Sequence, residues 1–318
     1  MHPILAGARC NVPLLRNLTN NMKDPTHNKL WILGTTVPAL LFLTLIAYLP
    51  ITYAIAISFF KKTAFSPKMS WVGLKNYLWL LGEADLWSAL GRSAVFTVGS
   101  VLVQIAWGLG VALLLNRAFR GQTLVRSLFI LPYLLPTIVV ALVFQWLLNQ
   151  EYGVINQVLL QAGLVSRPIN FIGGLKTAMY SVIGTASWQY GSFVALMVLA
   201  RLQAINPKLY EAARVCGAGP LRCFWDVTLP NLKTTLLLLA LLRGIWMFNK
   251  FDIIYLVTRG GPLKVTETLP IYAYRLAFEE FDFGLAAGVC TFMFVVLVLG
   301  SIVYFKLFDP TKEVEVGR

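Results

Sequence analysis

Long apolar runs separated by short polar connections make up most of this chain. Five runs contain no Asp, Glu, Lys or Arg and are long enough to cross the roughly 30 Å hydrocarbon core of a bilayer as helices. They cover residues 30–60, 93–115, 127–148, 177–200 and 284–305. One further run, the fifth in chain order at about 234–258, is as apolar as its neighbours apart from Arg243, Lys250 and Asp252. The pattern predicts an all-α integral membrane protein with six transmembrane helices.

Charge in the connections predicts the orientation. Lys and Arg are more frequent in segments 1–30, 116–126, 201–233 and 306–318 than in the three connections on the other side. Because positive residues favour the cytoplasmic side, both termini are predicted to be cytoplasmic. We therefore expect three parts. They are a cytoplasmic leader (1–29), a six-span domain (30–308) whose longest cytoplasmic loop lies at about 203–231, and a cytoplasmic tail (309–318).

The first apolar run is predicted to be an uncleaved membrane anchor. It is far longer than the roughly 7–15-residue apolar region of a signal peptide, although Ala54-Ile55-Ala56 has the small residues of a cleavage site. Pro50 lies within it. Since proline lacks the N–H that a helical hydrogen bond needs, we expect a kink there.

Composition agrees with a bilayer protein. The chain is 58% hydrophobic and 13% charged, whereas soluble domains have about 45–50% apolar and about 25% charged residues. Its net charge of +13 forms no basic stripe with interleaved aromatics, so membrane lipid and not nucleic acid is the expected environment. Cys10, Cys216, Cys223 and Cys290 show no CxxC spacing, and the only histidines are His2 and His27. Neither a metal site nor a disulfide framework is predicted.

The longest cytoplasmic loop has the signals of two short helices. Asn206 is placed to cap a helix that starts at Pro207, and Gly217 lies where that helix is expected to stop. Pro220 and Pro230 bracket the second segment. The loop is expected to display aromatic residues beside charges, either as interfacial belt residues or to fill the pocket of a partner. These aromatic residues are Tyr210, Phe224 and Trp225.

The spacing of residues in this loop resembles the EAA loop of permeases of binding-protein-dependent ABC importers. The residues that carry the resemblance are Glu211, Ala212, Ala213, Gly217, Leu229 and Pro230. In that family the loop docks as a coupling helix into a cleft of the ATPase subunit. The resemblance implies that closure of the ATPase dimer on ATP is transmitted through these residues to the transmembrane helices. Cys216 departs from the family pattern, which usually has Asp before Gly-Ala.

Other segments resemble the carbohydrate-uptake branch of these permeases, which includes glycerol-3-phosphate, lactose and maltose-type members. The matching segments are 131–156, 251–255, 258–262, 266–269 and 281–284. The resemblance implies a subunit of the bacterial inner membrane that moves a sugar or sugar-like solute from a periplasmic solute-binding protein into the cytoplasm. It also implies a second, homologous permease subunit and two ATPase subunits, which bind ATP and Mg. This chain itself is expected to hold no cofactor.

Motifs of other functions are missing from the sequence. No G-x-x-x-x-G-K-[ST] loop is present, because Leu175 separates Gly174 from Lys176 in the nearest approach to one. Without HExxH or GxSxG, an enzyme is not predicted. An ion-coupled secondary carrier acting without an ATPase is the alternative, with Asp252 as its candidate acidic residue. A membrane scaffold that transports nothing is the third hypothesis.

Polar and aromatic residues at mid-depth of the runs are the candidates for the translocation path. They are Gln104 in the second run, Trp188 and Gln189 in the fourth, and Arg243, Trp246 and Asn249 in the fifth. In one continuous helix Arg243, Trp246 and Lys250 share a face and Asp252 points nearly opposite. The hypothesis is that Trp188 and Trp246 stack on a sugar-like ring while Gln189 and Asn249 bond its hydroxyls. The alternative is that these residues pack helices together.

Three further questions remain open on the sequence. Arg243 and Lys250 permit an anionic solute without requiring one. The spacing of Gly284 and Gly288 indicates close helix packing, either within the chain or across a pair of permeases. Segment 260–262, Gly-Gly-Pro, predicts a tight turn, either a plain turn or one that touches the solute-binding protein.

Overall fold

A computed structural model describes residues 25–66 and 68–308. The predicted tail, most of the predicted leader, His2 and Cys10 lie outside the described residues. In chain order the first helices and strands are α1 (Pro25–Leu43), α2 (Leu49–Ile57), β1 (Phe60–Lys61), β2 (Ser70–Trp71), α3 (Lys75–Gly82), α4 (Ala84–Leu115), α5 (Gln122–Phe129) and α6 (Leu131–Leu134). They are followed by α7 (Thr137–Leu147), α8 (Val154–Gln161), α9 (Ala178–Gln203), α10 (Pro207–Val215), α11 (Pro220–Cys223), α12 (Leu229–Phe248), α13 (Asp252–Thr258), α14 (Leu269–Phe278) and α15 (Phe283–Phe308).

The chain divides into two units, and the first, which ends at Ala56, contains all but the last residue of the first membrane-length helix. A π-helical turn, Thr44–Tyr48, joins α1 to α2, so Trp31–Ile57 is one apolar stretch long enough to span a membrane. In this turn the Leu49 N–H donates to the Thr44 carbonyl. The irregularity lies just before Pro50, which has no N–H to donate to the carbonyl four residues earlier.

The second unit, from Ile57 onward, contains the other membrane-length helices. The described residues include five helices that are long and apolar enough to cross a membrane, and a sixth span if the bent pair α5–α6 plus α7 is counted as one. The predicted run 127–148 is therefore not one straight helix. Its two parts meet at 94°, because Pro136 forces Leu135 out of the helical region to ψ 138°.

The pair α4 and α9 packs closely at the centre of the second unit, and small residues make this possible. A Cβ on Gly108 would lie 2.7 Å from Val194, and one on Gly191 would lie 2.8 Å from the Trp107 ring. In a bilayer such glycines let two helix backbones approach each other. Three apolar clusters flank this pair, centred on Phe96 and Ile253, on Leu86 and Tyr272, and on Val198 and Leu232.

Two of the glycines of α15, Gly284 and Gly288, are also packing residues within the chain. A Cβ on Gly284 would lie 2.3 Å from the Phe60 carbonyl oxygen of β1, and one on Gly288 would lie 2.8 Å from Leu80 of α3. Strand β1 pairs with β2 in antiparallel register, with Phe60 opposite Trp71. The alternative left open by the sequence is thereby resolved for both glycines in favour of contacts within one chain.

Charged residues hold together the ends of α4, α14 and the connection between α13 and α14. Arg275 binds Glu267 through a 2.7 Å contact, Asp85 through a 3.1 Å contact, and Glu280. Burial acts to lower the pKa of Arg275, but the hydrogen bond to Glu267 and the surrounding carboxylates raise it above its ordinary value. Arg275 therefore stays charged and holds the buried Glu267 in place.

Candidate functional site

The fifth predicted run is broken near the residues that were predicted to line the path. Helix α12 ends at Phe248, and α13 begins at Asp252. The side-chain amide of Asn249 donates to the Ile245 carbonyl at 3.0 Å, which satisfies a carbonyl of the last turn. The run predicted at 234–258 is therefore two helices with a non-helical link, 249–251.

This break forms one side of a cavity of about 510 Å³. Its lining residues come from α6, α9, α12, the link 249–251 and the first residue of α13. They are Tyr133, Tyr190, Arg243, Trp246, Met247, Asn249, Lys250, Phe251 and Asp252. Aromatic faces beside amide and charged groups suit a ligand with both apolar ring faces and polar substituents.

Arg243 is the central charged group of this cavity and is only 1% exposed. Its Nε donates to Gln104 Oε1 of α4 at 2.8 Å, and its Nη2 contacts the sulfur of Met247 at 3.8 Å. The guanidinium lies 4.9 Å from the centre of the Tyr190 ring and 5.3 Å from that of Trp246. A charge at this depth requires a cavity or a partner helix, and Arg243 has both.

The positions of Lys250 and Asp252 differ from those predicted for one continuous helix. The Lys250 ammonium lies 3.1 Å from an Asp252 carboxylate oxygen and 4.5 Å from the centre of the Tyr190 ring. The sequence placed Asp252 nearly opposite Lys250 on the assumption of one continuous helix. That prediction was wrong because α12 ends before both residues, and the turn that follows brings them together.

Three of the five path candidates in the fourth and fifth runs line this cavity, namely Arg243, Trp246 and Asn249. Trp188 instead packs against Phe144 with 5.3 Å between ring centres and lines a separate apolar cavity of about 500 Å³. Gln189 is buried and donates to the Leu135 carbonyl at 3.1 Å, which the break at Pro136 frees from a helical bond.

Two tyrosines of the cavity were missed by the sequence reasoning. The Tyr190 hydroxyl lies 3.2 Å from Thr137 Oγ1, and the Tyr133 ring stacks on Phe193 at 5.4 Å between centres. Tyr133 is brought toward α9 by the sharp bend between α6 and α7. The available signal was a tyrosine hydroxyl in the middle of an apolar run, since a buried hydroxyl needs a partner.

The second candidate region is the segment 206–230, which contains α10 and α11. The Asn206 side chain accepts the Lys208 N–H at 3.0 Å and caps α10, as predicted. Gly217 ends α10 with φ +79°, and the N–H groups of Gly217 and Ala218 donate to the carbonyls of Arg214 and Ala213, both at 2.9 Å. This left-handed glycine stop turns the chain sharply back toward α12.

One side of segment 206–230 is bound to the membrane helices. The Tyr210 hydroxyl lies 3.0 Å from Thr228 Oγ1, in the π-helical turn Phe224–Thr228 that leads into α12. Tyr210 and Ala213 pack against the cluster of Val198 and Leu232. Of the aromatic residues expected to be displayed, Trp225 is exposed, whereas Tyr210 and Phe224 are half-buried.

The other side of segment 206–230 is exposed. Glu211, Ala212, Gly217 and Pro230 are exposed, while Ala213 and Leu229 are half-buried. Two apolar side chains near the turn are also free of packing, with Val215 89% and Leu221 73% exposed. Within the described residues the Glu211 side chain has no ion pair or side-chain hydrogen bond. Exposed apolar residues next to an unpaired carboxylate are typical of an interaction surface.

Comparison with a known family identifies the class of the chain. Residues 104–313 match the model of the family described as binding-protein-dependent transport system inner membrane component. The chain belongs to this family. The predicted resemblance is confirmed, and so is the predicted location of this permease in the bacterial inner membrane.

Two relatives and one solved structure extend the comparison. The permease is 32% identical to the trehalose/maltose transport system permease protein MalF of Thermococcus litoralis, over 92% of its own length and 97% of the relative's. It is 33% identical to the sulfoquinovosyl glycerol transport system permease protein SmoG of Agrobacterium fabrum, over 85% of its length and 87% of the relative's. A chain of a bacterial ABC transporter involved in the import of the acidic polysaccharide alginate has the same fold, with a TM-score of 0.76, 22% identity, and coverage of 93% of the permease and 99% of that chain.

These similarities confirm the predicted fold class of the permease. The side of the membrane that each terminus faces stays a prediction, as do the three-part division of the chain and the roles of individual residues. Among the described residues there is no group of three or more His, Cys, Asp or Glu side chains that would hold a metal ion.

Proposed function

We propose that this permease is one membrane subunit of an ATP-driven importer and moves a sugar or sugar-like solute from a periplasmic solute-binding protein into the cytoplasm. A second, homologous permease and two ATPase subunits that bind ATP and Mg complete the importer. Both relatives above carry names of sugar-type solutes, trehalose and maltose in one and sulfoquinovosyl glycerol in the other. The cavity of Tyr190, Trp246 and Asn249 has the aromatic and amide groups that such a solute would bind.

The proposed route of coupling runs from segment 206–230 to the cavity. The exposed side of this segment, with Glu211, is the surface that an ATPase subunit would bind. The observation that carries the proposal is the attachment of the other side of this segment to α12, through the Tyr210–Thr228 hydrogen bond and the packing of Tyr210 against the apolar cluster that includes Leu232. A displacement of α10 is therefore passed to α12. Because α12 also carries Arg243 and Trp246, the same displacement reaches the cavity.

Substitution of Glu211 tests this route. We expect Glu211→Ala to reduce ATP-driven uptake at least about tenfold and to weaken co-purification of the ATPase subunits, since a charge-assisted contact contributes about 1.5–3 kcal/mol. The assay is accumulation of labelled solute by the complete importer in proteoliposomes. Glu279→Ala is the matched control, because Glu279 is an exposed carboxylate of another connection, after α14.

Separate outcomes would contradict separate parts of the proposal. Normal uptake by Glu211→Ala would remove the coupling role of segment 206–230. Solute uptake by the permease alone, without ATPase subunits, would support the ion-coupled carrier in its place.

A further inference from the structure

The positive charge of Arg243 is not balanced by a carboxylate within the described residues. Its hydrogen-bonding and close contacts there are the neutral groups Gln104 Oε1 and Met247 sulfur and the rings of Tyr190 and Trp246. Its Nη1 has no hydrogen-bond acceptor among these residues. A buried guanidinium without a counter-charge is costly, so buried charges are normally paired.

The other two charges of the cavity neutralise each other. Lys250 lies 3.1 Å from Asp252, and both residues line the same cavity as Arg243. The remaining lining residues are aromatic, amide or apolar. The cavity of this chain therefore carries one excess positive charge, and that charge belongs to its most deeply buried charged group.

We propose that the solute of this importer carries an anionic substituent, a sulfonate, phosphate or carboxylate, which binds Arg243. The proposal rests on the proposed function and goes further by giving the chemical class of the solute. The planar guanidinium offers donors that match the oxygen atoms of such groups, and its low-dielectric surroundings strengthen the attraction. Gln104 and the rings of Tyr190 and Trp246 hold the guanidinium in place, so its side chain loses little conformational freedom on binding.

Matched pairs of neutral and anionic ligands test the proposal. The pairs are glucosyl glycerol with sulfoquinovosyl glycerol, trehalose with trehalose 6-phosphate, and methyl glucoside with methyl glucuronide. Binding of each probe is measured by equilibrium dialysis with the complete importer in nanodiscs, without the solute-binding protein. We expect the anionic member of at least one pair to bind about tenfold more tightly or better, the range of a charge-assisted hydrogen bond.

Three variants assign the preference to its residue. Arg243→Met is expected to reduce the ratio of the two affinities to about one, whereas Arg243→Lys is expected to keep part of it. Arg167→Met, which removes an exposed positive charge in another connection, is expected to leave the ratio unchanged. Retention of the second permease and the ATPase subunits by each variant shows that the importer is still assembled.

Each contrary result has its own meaning. Equal or weaker binding of the anionic member in every pair that binds would overturn the anionic proposal alone. A preference that survives in Arg243→Met would also overturn it. Loss of the second permease from Arg243→Met, with equal loss of both probes, would assign the counter-charge to a carboxylate of that subunit and overturn it as well. Failure of every probe to bind, together with absent ATP-driven uptake of sugars, would overturn it along with the proposed function.

Discussion

The residues predicted to line the translocation path divide into two groups once their contacts are known. Trp246 and Asn249 line the cavity with Arg243, whereas Trp188 lies in a separate apolar cavity against Phe144. The sequence named all of them as candidates, but it did not show which direction each side chain takes. That direction depends on where α12 ends and on the bend at Pro136.

Solute affinity is the measurement that separates these residues. We expect Trp246→Ala and Asn249→Ala each to weaken solute binding by the complete importer about threefold to tenfold, because a ring contact or hydrogen bond contributes about 0.5–1.5 kcal/mol. Trp188→Phe, which keeps an aromatic ring against Phe144, is expected to leave affinity unchanged. Unaltered affinity in both cavity variants would remove Trp246 and Asn249 from the path.

Gly217 is a residue whose backbone conformation limits what can replace it. At φ +79° a β-branched side chain is strained, so Gly217→Val is expected to destabilise the end of α10 by about 1–2 kcal/mol and to impair ATPase docking. Gly219→Ala is the control, since Gly219 has φ −73° and open space around a Cβ. Thermal unfolding and ATPase co-purification are the readouts, and equal behaviour of the two variants would contradict the assigned role of the turn.

At the scale of elements, α15 depends on a close approach to the β1–β2 hairpin and α3. Gly284→Ala is expected to lower thermal stability in detergent by about 1–3 kcal/mol, because its Cβ would lie 2.3 Å from a backbone oxygen that cannot move far. Gly300→Ala, on the same helix with open space around its Cβ, is the matched control. A Gly284→Ala protein as stable as wild type would show that α15 and β1 are not in tight contact at Gly284.

The charged cluster that joins α4 to α14 is a second determinant at this scale. We expect Arg275→Met to destabilise the permease by about 3 kcal/mol, because it removes the main partner of the buried Glu267. The double variant Arg275→Met with Glu267→Met is expected to recover most of that loss, since both charges then disappear together. Thermal unfolding of the single and double variants measures this, and additive losses would contradict the pairing.

Breaks within elements were the least predictable part of the fold. The apolar runs gave the approximate positions of the membrane-length helices, because run length is set by the thickness of the bilayer. They did not reveal that α12 ends at Phe248, since Asn249 and Lys250 are tolerated in helices. Pro136 did give a signal for the 94° bend, but proline is common in membrane helices without such a break.

At the scale of the whole molecule, segment 206–230 and the cavity are joined by α12. The spacing of Glu211, Gly217 and Pro230 was sufficient to predict the family, and the cap at Asn206 and the stop at Gly217 were predicted from local rules. The attachment of Tyr210 to Thr228 was not predictable, because it depends on a π-helical turn that no sequence pattern indicated. Through this attachment, a displacement of segment 206–230 is expected to move α12.

The most direct test of the account uses a native residue of segment 206–230. Cys216 is exposed, whereas Cys223 is buried, so in a Cys10→Ser, Cys290→Ser background a membrane-impermeant maleimide reports on Cys216. We predict labelling in inside-out vesicles that lack the ATPase subunits, protection when those subunits are bound, and no labelling of intact spheroplasts. Labelling of Cys216 in intact spheroplasts, or undiminished labelling in inside-out vesicles with bound ATPase subunits, would contradict the claim that the ATPase binds the permease at this segment.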